Sequence, residues 1–409
     1  MRISVIKVLR AIFILALLLR VAWSLHLQRD PAGLSNLPDQ VEYFSLGQNV
    51  LHHRTLFFYD PRFYQAIYAY RMPGYPIFIS LCGGSVFVVR IAQAIIDSAS
   101  IFAVFLVARR FWSVRAALIA AAFVAINPFL IYFSGLILSE TLCTAMILWG
   151  AALCLSLRAN KDSIFTSPGT PEKGKTMQNP RRRGWENILG PILLALSVLV
   201  RPSGLFLPVI LPLFSGLRRG FALVGLLLLI MLLSLWAWRN DAILGKWIWI
   251  TTNGGITQYD GFNPQATGAS DQRFVAQMPY LQQLDEVERN NYLAGLTRHY
   301  IREHPGRIVP LALAKLARTF SPIPLSEQFS RPIYLAIAAA YSVPIFLLAI
   351  VQLIRGRGGW RVKMFLLCVP IYFAVVHAFS VGSLRYRLPA EPFIAILAAG
   401  AVGEKMNAE

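Results

Sequence analysis

Two carboxylates stand three residues apart in Pro38-Asp39-Gln40-Val41-Glu42-Tyr43, where a helix running to Leu51 is expected to begin. A carboxylate so placed can take a proton from a hydroxyl. It can equally be a helix N-cap, with Glu42 completing a capping box. A third acid, Glu140, follows a long apolar run, where a carboxylate is costly unless paired or functional. Arg71, Arg90, Arg201, Arg385 and Arg387 all fall near ends of apolar runs. The planar guanidinium fork grips phosphate oxygens in bidentate pairs, which makes these residues candidate phosphate clamps. Snorkelling to the membrane interface is the other reading of any one of them. His52 and His53 could join Asp39 or Glu42 around a divalent metal, or be polar surface.

The elements that must position these groups are membrane helices. Of 409 residues, 56% are hydrophobic and only 14% charged, against about 25% charged in soluble proteins. Phe221–Trp238 and Tyr334–Ile354 are nearly free of charge over the length a bilayer requires. Within lipid only a helix or a closed barrel satisfies its own backbone, so the fold class expected is all-α and polytopic. The net charge of +19 has a home in short loops: Arg109, Arg110 and Arg115, then Arg181–Arg183, Arg218–Arg219, and Arg355 to Lys363. Such loops mark the cytoplasmic side, and no basic soluble module is present to bind nucleic acid. Cys82, Cys143, Cys154 and Cys368 all lie in apolar segments and read as small core residues.

About ten spans are expected, near 8–27, 88–108, 114–138, 141–157, 187–200, 203–216, 221–238, 332–354, 364–381 and 388–403. The first follows Arg2, Lys7 and Arg10, lacks a small-residue cleavage site and reads as an uncleaved helix. Three regions result: an N-terminal module 1–238 with its first outer loop at 28–72 and a basic cytoplasmic linker at 158–186, an outer region 239–330 with an interfacial helix near 307–320, and C-terminal helices 331–409.

Read in order, Arg71-Met72-Pro73-Gly74-Tyr75-Pro76, Asn127-Pro128, Ser139-Glu140-Thr141, Arg201-Pro202-Ser203-Gly204, Trp238-Arg239-Asn240, Thr252-Asn253-Gly254-Gly255 and Arg385-Tyr386-Arg387-Leu388-Pro389 join the Asp39 segment in a series. The series resembles the dolichyl-phosphate-mannose–protein mannosyltransferase superfamily in its bacterial branch, akin to the aminoarabinose transferases of lipid A. The resemblance implies the GT-C fold, with juxtamembrane helices in the first outer loop and a small outer subdomain. It implies inverting transfer of a sugar from a polyprenyl-phosphate donor in the membrane to a lipid, glycan or protein acceptor, on the extracytoplasmic face of the inner (plasma) membrane. Asp39 becomes the expected base, with Glu42 and Glu140 beside it, the five arginines on the phosphate, and Tyr43, Tyr75 and Asn253 lining the substrate pocket. No cofactor is required by this reading, though a divalent metal stays possible. Asp39 and Glu42 are three apart where protein-modifying members often carry adjacent acids, which leaves the acceptor open. A lipid-linked sugar flippase, expected to show inverted repeats and broken helices, and an O-antigen ligase or polymerase, expected to tolerate loss of Asp39, are the competing readings.

Overall fold

A computed structural model describes residues 2–27, 31–35, 37–156, 188–216, 219–355 and 359–403. The linker expected at 158–186 lies outside the described residues. The chain opens with α1 (Arg2–His26), a largely apolar helix carrying Arg20 in its last third. After α2 (Pro38–His53), a short hairpin of β1 (Phe58–Asp60) and β2 (Gln65–Ile67) and α3 (Gly74–Leu81) complete the first loop. Then come α4 (Val86–Phe111), α5 (Val114–Ala125), α6 (Pro128–Ser134) and α7 (Glu140–Ser156).

The span expected over 114–138 is a single helix in the sequence but two in the structure, α5 and α6, bent by 50°. The residue before a proline is biased away from the helical region. Asn127 obliges, and its Oδ1 then caps α6 by accepting from the Phe129 and Leu130 amides. The carbonyls freed at the end of α5 are taken by Arg20, which donates to Ala125 O at 2.9 Å and Val124 O at 3.2 Å. The same guanidinium pairs with Asp97 of α4, and both side chains are fully buried. One buried ion pair thus fastens α1 to α4 and seals the break.

From α8 (Leu189–Val200) and α9 (Leu207–Phe214) the chain continues into the long apolar α10 (Arg219–Leu244). Helices α7 and α8 approach closely because glycines face each other: a Cβ on Gly190 would lie 2.6 Å from Cys154 Sγ. Small residues at a helix crossing are how membrane helices gain contact without a hydrophobic drive.

The region 239–330, expected outside, holds α11 (Gly254–Gly261), α12 (Phe274–Gln277) and α13 (Glu286–Glu303). It is welded to the first loop. Buried Glu286 accepts from the Tyr68 and Ala69 amides and the Thr252 hydroxyl, and Arg289 lies 3.5 Å over the Phe63 ring. A second core, with Phe63, Ile67 and Met72 against Ile256, Phe274 and Leu293, backs these contacts. Then α14 (Ile308–Thr319) turns Leu311, Lys315 and Thr319 inward and leaves Val309 and Leu313 exposed. The chain ends in α15 (Pro332–Arg355), α16 (Gly359–Ala378) and α17 (Glu391–Val402), with a tight 3-10 segment over Leu384–Ala390 before the last helix.

The chain is a multi-pass, all-α membrane protein. Among the described residues, α4, α10, α15 and α16 are long and apolar enough to cross a membrane, and the bent α5–α6 pair makes a fifth if counted as one span. Glu140–Leu155, Leu189–Val200 and Pro202–Phe214 are shorter apolar helices, so length and composition do not reach the expected ten.

Candidate active site

The first-loop acids are placed by the start of α2. The helix begins at Pro38, suited to a first helical position by its fixed φ, and Leu37 is the N-cap with no side-chain bond. Asp39 is therefore inside the first turn, not its cap, and Glu42 completes no capping box. One turn apart, the two acids face Arg71. Its Nη2 lies 2.7 Å from Asp39 Oδ1 and 2.5 Å from Glu42 Oε2. The other Asp39 oxygen takes Arg385 Nη1 at 2.6 Å.

Arg385 reaches further, to Glu140 Oε1 at 3.7 Å, and that oxygen pairs with Arg201 at 2.7 Å. Six charged groups from five segments therefore alternate in one chain: Glu42, Arg71, Asp39, Arg385, Glu140, then Arg201. Ser139 links Arg201 to α2, its Oγ receiving both Tyr43 OH at 3.1 Å and Arg201 Nη1 at 3.3 Å. Arg201 and Arg385 both stack near the Tyr386 ring, and Arg71 near Tyr43 and Tyr70.

The stretch between α6 and α7, which leads into Ser139 and Glu140, is non-helical and needs partners for its backbone. Two buried amides supply them. Gln93 donates to Ser134 O and Leu136 O at 2.9 and 2.7 Å, and Gln40 Oε1 accepts from the Ile137 amide at 2.9 Å.

Electrostatics separate the first two acids. Burial alone would raise the Asp39 pKa, but the charges and hydrogen bonds of Arg71 and Arg385 outweigh it and hold that carboxyl well below the usual range. Glu42 moves the other way: burial and the nearby Asp39 charge raise it, and Arg71 and Arg62 offset only part. Both oxygens of Asp39 are engaged, so as it stands Asp39 is a weak base, and Glu42 holds a proton more readily.

These groups line one cavity of about 1650 Å³. One arm is apolar, walled by Trp23, Ile126, Phe129, Tyr132, Phe329 and Tyr334. A second arm is polar, with Asp60, Arg62, Asn253, Thr257, Ser270 and Gln272. There Arg62 pairs with Asp60 at 2.7 Å, reaches Glu42 at 3.6 Å and donates to Gln272 at 2.8 Å.

Of the residues singled out from sequence, Asp39, Glu42, Glu140, Arg71, Arg201, Arg385, Tyr43 and Asn253 lie on the cavity wall. Others do not. Tyr75 sits behind it, fully buried, edge-on to Tyr43 and bonded to Gln93. Arg90 is buried on α4 and off the wall. Arg387 is wholly buried, bound to Glu391, Ser321 O and Ser342, and holds the last helices together. His52 and His53 are exposed at the end of α2, with His52 beside Gln48, and no group of three or more metal-ligating side chains occurs among the described residues. Asp60 and Arg62 were missed. They sit at a hairpin mouth with an ordinary sequence pattern, and only the pairing of β1 and β2 turns them inward.

No protein-family model and no curated protein matches the chain. Among solved structures, the archaeal oligosaccharyltransferase AglB from Archaeoglobus fulgidus, in complex with an inhibitory peptide and a dolichol-phosphate, aligns over 98% of this chain and 50% of its own, at 14% identity and a TM-score of 0.57. An Archaeoglobus fulgidus oligosaccharyltransferase tethered to an acceptor peptide aligns over 98% and 49%, at 15% identity and 0.54. ArnT from Cupriavidus metallidurans, bound to undecaprenyl phosphate, covers 98% of this chain and 77% of its own at 14% identity, with a TM-score of 0.37 that supports nothing further. The chain thus spans about half the length of the oligosaccharyltransferases it resembles. At such identities the likeness is one of fold, and the fold is GT-C.

Proposed function

We propose that this chain is an inverting glycosyltransferase that takes a sugar from a polyprenyl-phosphate donor and passes it to an acceptor on the extracytoplasmic side of the inner membrane. The observation that carries the reading is the alternating run of acids and arginines at the meeting point of an apolar arm and a polar arm. The donor's isoprenyl units suit the apolar arm, and its phosphate suits Arg385 and Arg201. The acceptor, a hydroxyl of a lipid, glycan or protein, enters from the polar arm. That AglB was solved with a peptide and a dolichol-phosphate agrees with a lipid-borne donor in a GT-C site.

In the reaction the acceptor oxygen attacks the anomeric carbon as the bond from that carbon to the phosphate oxygen breaks, so the configuration inverts. The phosphate leaves with the electron pair and its growing charge is met by guanidinium groups. The acceptor's proton goes to a carboxylate. Asp39 is pinned by two arginines when the site is at rest. An arriving phosphate competes for Arg385, freeing one Asp39 oxygen and raising its basicity when a base is needed. Glu140 keeps Arg201 aimed. The site is expected to work without a metal, because arginines supply the charge a metal would.

Substitution of Asp39 by Asn tests the assignment. Mass spectrometry of glycolipids and glycoproteins from a deletion strain identifies the product, and the purified variant is then assayed on it. Transfer should fall by about a hundredfold or more, the range for loss of a general base, with donor binding retained. Activity near wild type would remove Asp39 from this role and favour the ligase reading.

A further inference from the structure

Three polar atoms on the cavity wall have no hydrogen-bond partner although they are shielded from solvent: Glu140 Oε2, Ser203 Oγ and His377 Nε2. Glu140 and His377 are only 2% and 5% exposed. Each lies next to the arginines already described. Glu140 spends its other oxygen on Arg201. Ser203 is two residues beyond Arg201, in the 3-10 turn Pro202–Gly204. His377 stacks on Tyr386 with ring centres 4.0 Å apart and planes at 2°, and the guanidinium groups of Arg201 and Arg385 lie 5.3 and 5.0 Å from the same ring. The imidazole cannot swing away: Phe373 stacks at 6.0 Å from its ring, and Nδ1 is bonded to Ser380 Oγ at 3.1 Å.

A buried polar atom left unpaired is costly, so a cluster of three beside one site calls for a ligand. The set is an anionic acceptor, a hydroxyl and an imidazole nitrogen. Phosphate oxygens, which only accept, would be repelled by Glu140. Sugar hydroxyls both donate and accept, and suit all three. From this geometry we infer that Glu140, Ser203 and His377 form the subsite for the hydroxyl groups of the transferred sugar, next to the arginines that hold its phosphate. The inference rests on the donor reading above and narrows it: the transferred group is a sugar recognised through its hydroxyls, at a place where Ser203 and His377 touch the sugar and not the phosphate.

The test separates sugar from phosphate. Full-length protein in detergent is titrated with decaprenyl phosphate and with its glucosyl, mannosyl, galactosyl and N-acetylglucosaminyl esters. Wild type should bind at least one ester about tenfold more tightly than the bare phosphate. His377→Phe, which keeps the stack on Tyr386, and Ser203→Ala should each reduce that preference to about twofold or less, with affinity for the bare phosphate unchanged, as expected when a site built for hydroxyls loses its partners. If His377→Phe unfolds at a much lower temperature than wild type, Ser203→Ala, which deletes one hydroxyl, carries the test. A preference that survives in the variants, or wild type that prefers none of the esters, overturns the subsite. Failure of wild type to bind decaprenyl phosphate at all, or binding indifferent to Arg385→Ala, would instead overturn the donor reading.

Discussion

Asp39 and Glu42 share a guanidinium yet respond oppositely to pH. Asp39 is lowered on folding from its ordinary 3.8. Its contribution to stability is therefore present above that value and lost as pH falls below it. Glu42 is raised on folding from its ordinary 4.5, so its contribution is full below that value and lost as pH rises through the raised one. Melting temperatures between pH 3 and 8 should show both signs. Asp39→Asn should flatten the acid-side fall, and Glu42→Gln should gain relative to wild type as pH rises toward neutrality. Identical pH profiles for all three proteins would refute the opposed shifts. Sequence exposed these residues by type and by place beside apolar runs. It did not separate Arg385, which reaches two acids, from Arg387 two residues on, which is consumed by Glu391. In a 3-10 segment, residues two apart point in different directions, and nothing in Arg-Tyr-Arg announces that segment.

At the scale of elements, the stretch between α6 and α7 depends on side chains borrowed from elsewhere. Replacing Gln93 by Leu would strand two buried carbonyls and the Tyr75 hydroxyl, at a cost of about 1–3 kcal/mol for each group left unsatisfied. The variant should melt several degrees lower, and its transfer activity should fall further than that of an equally destabilised core variant, because Ser139 and Glu140 hang from this stretch. Equal losses of activity in the two variants would limit Gln93 to stability. The helices themselves were readable from apolar runs, and the Asn127-Pro128 pair was visible as a motif. That the pair breaks a span was not read, because hydropathy runs on through it. A broken helix is also a transporter device. Here the break offers no ion site, since Arg20 and the Asn127 side chain already occupy its free backbone groups.

For the whole molecule, orientation is the property most open to direct measurement. Reporters fused at Lys173 and at Gln265 should score cytoplasmic and extracytoplasmic respectively; reversed signals would place the charged cavity on the other face of the membrane. The region 239–330 is no loose cap. Glu286 and Arg289 hold it against the first loop, so the polar arm of the cavity is built jointly by residues about 200 apart in the chain, as the Arg62–Gln272 bond shows with a separation of 210. Such pairings carry no local signature, which is why the polar arm, Asn253 apart, escaped the sequence while the charged run did not.

The Arg20–Asp97 pair bears on how the chain is made. During synthesis α1 leaves the ribosome with a guanidinium whose partner is still 77 residues away. Until α4 emerges, that charge lacks its partner, which makes early insertion of the first helix costly. Asp97→Leu should therefore yield little inserted protein on quantitative membrane fractionation, since removing one partner of a buried pair costs about 3–5 kcal/mol while an apolar swap of both is far milder. Adding Arg20→Leu should restore much of the yield. If the double variant inserts no better than the single one, biogenesis does not hinge on neutralising this charge.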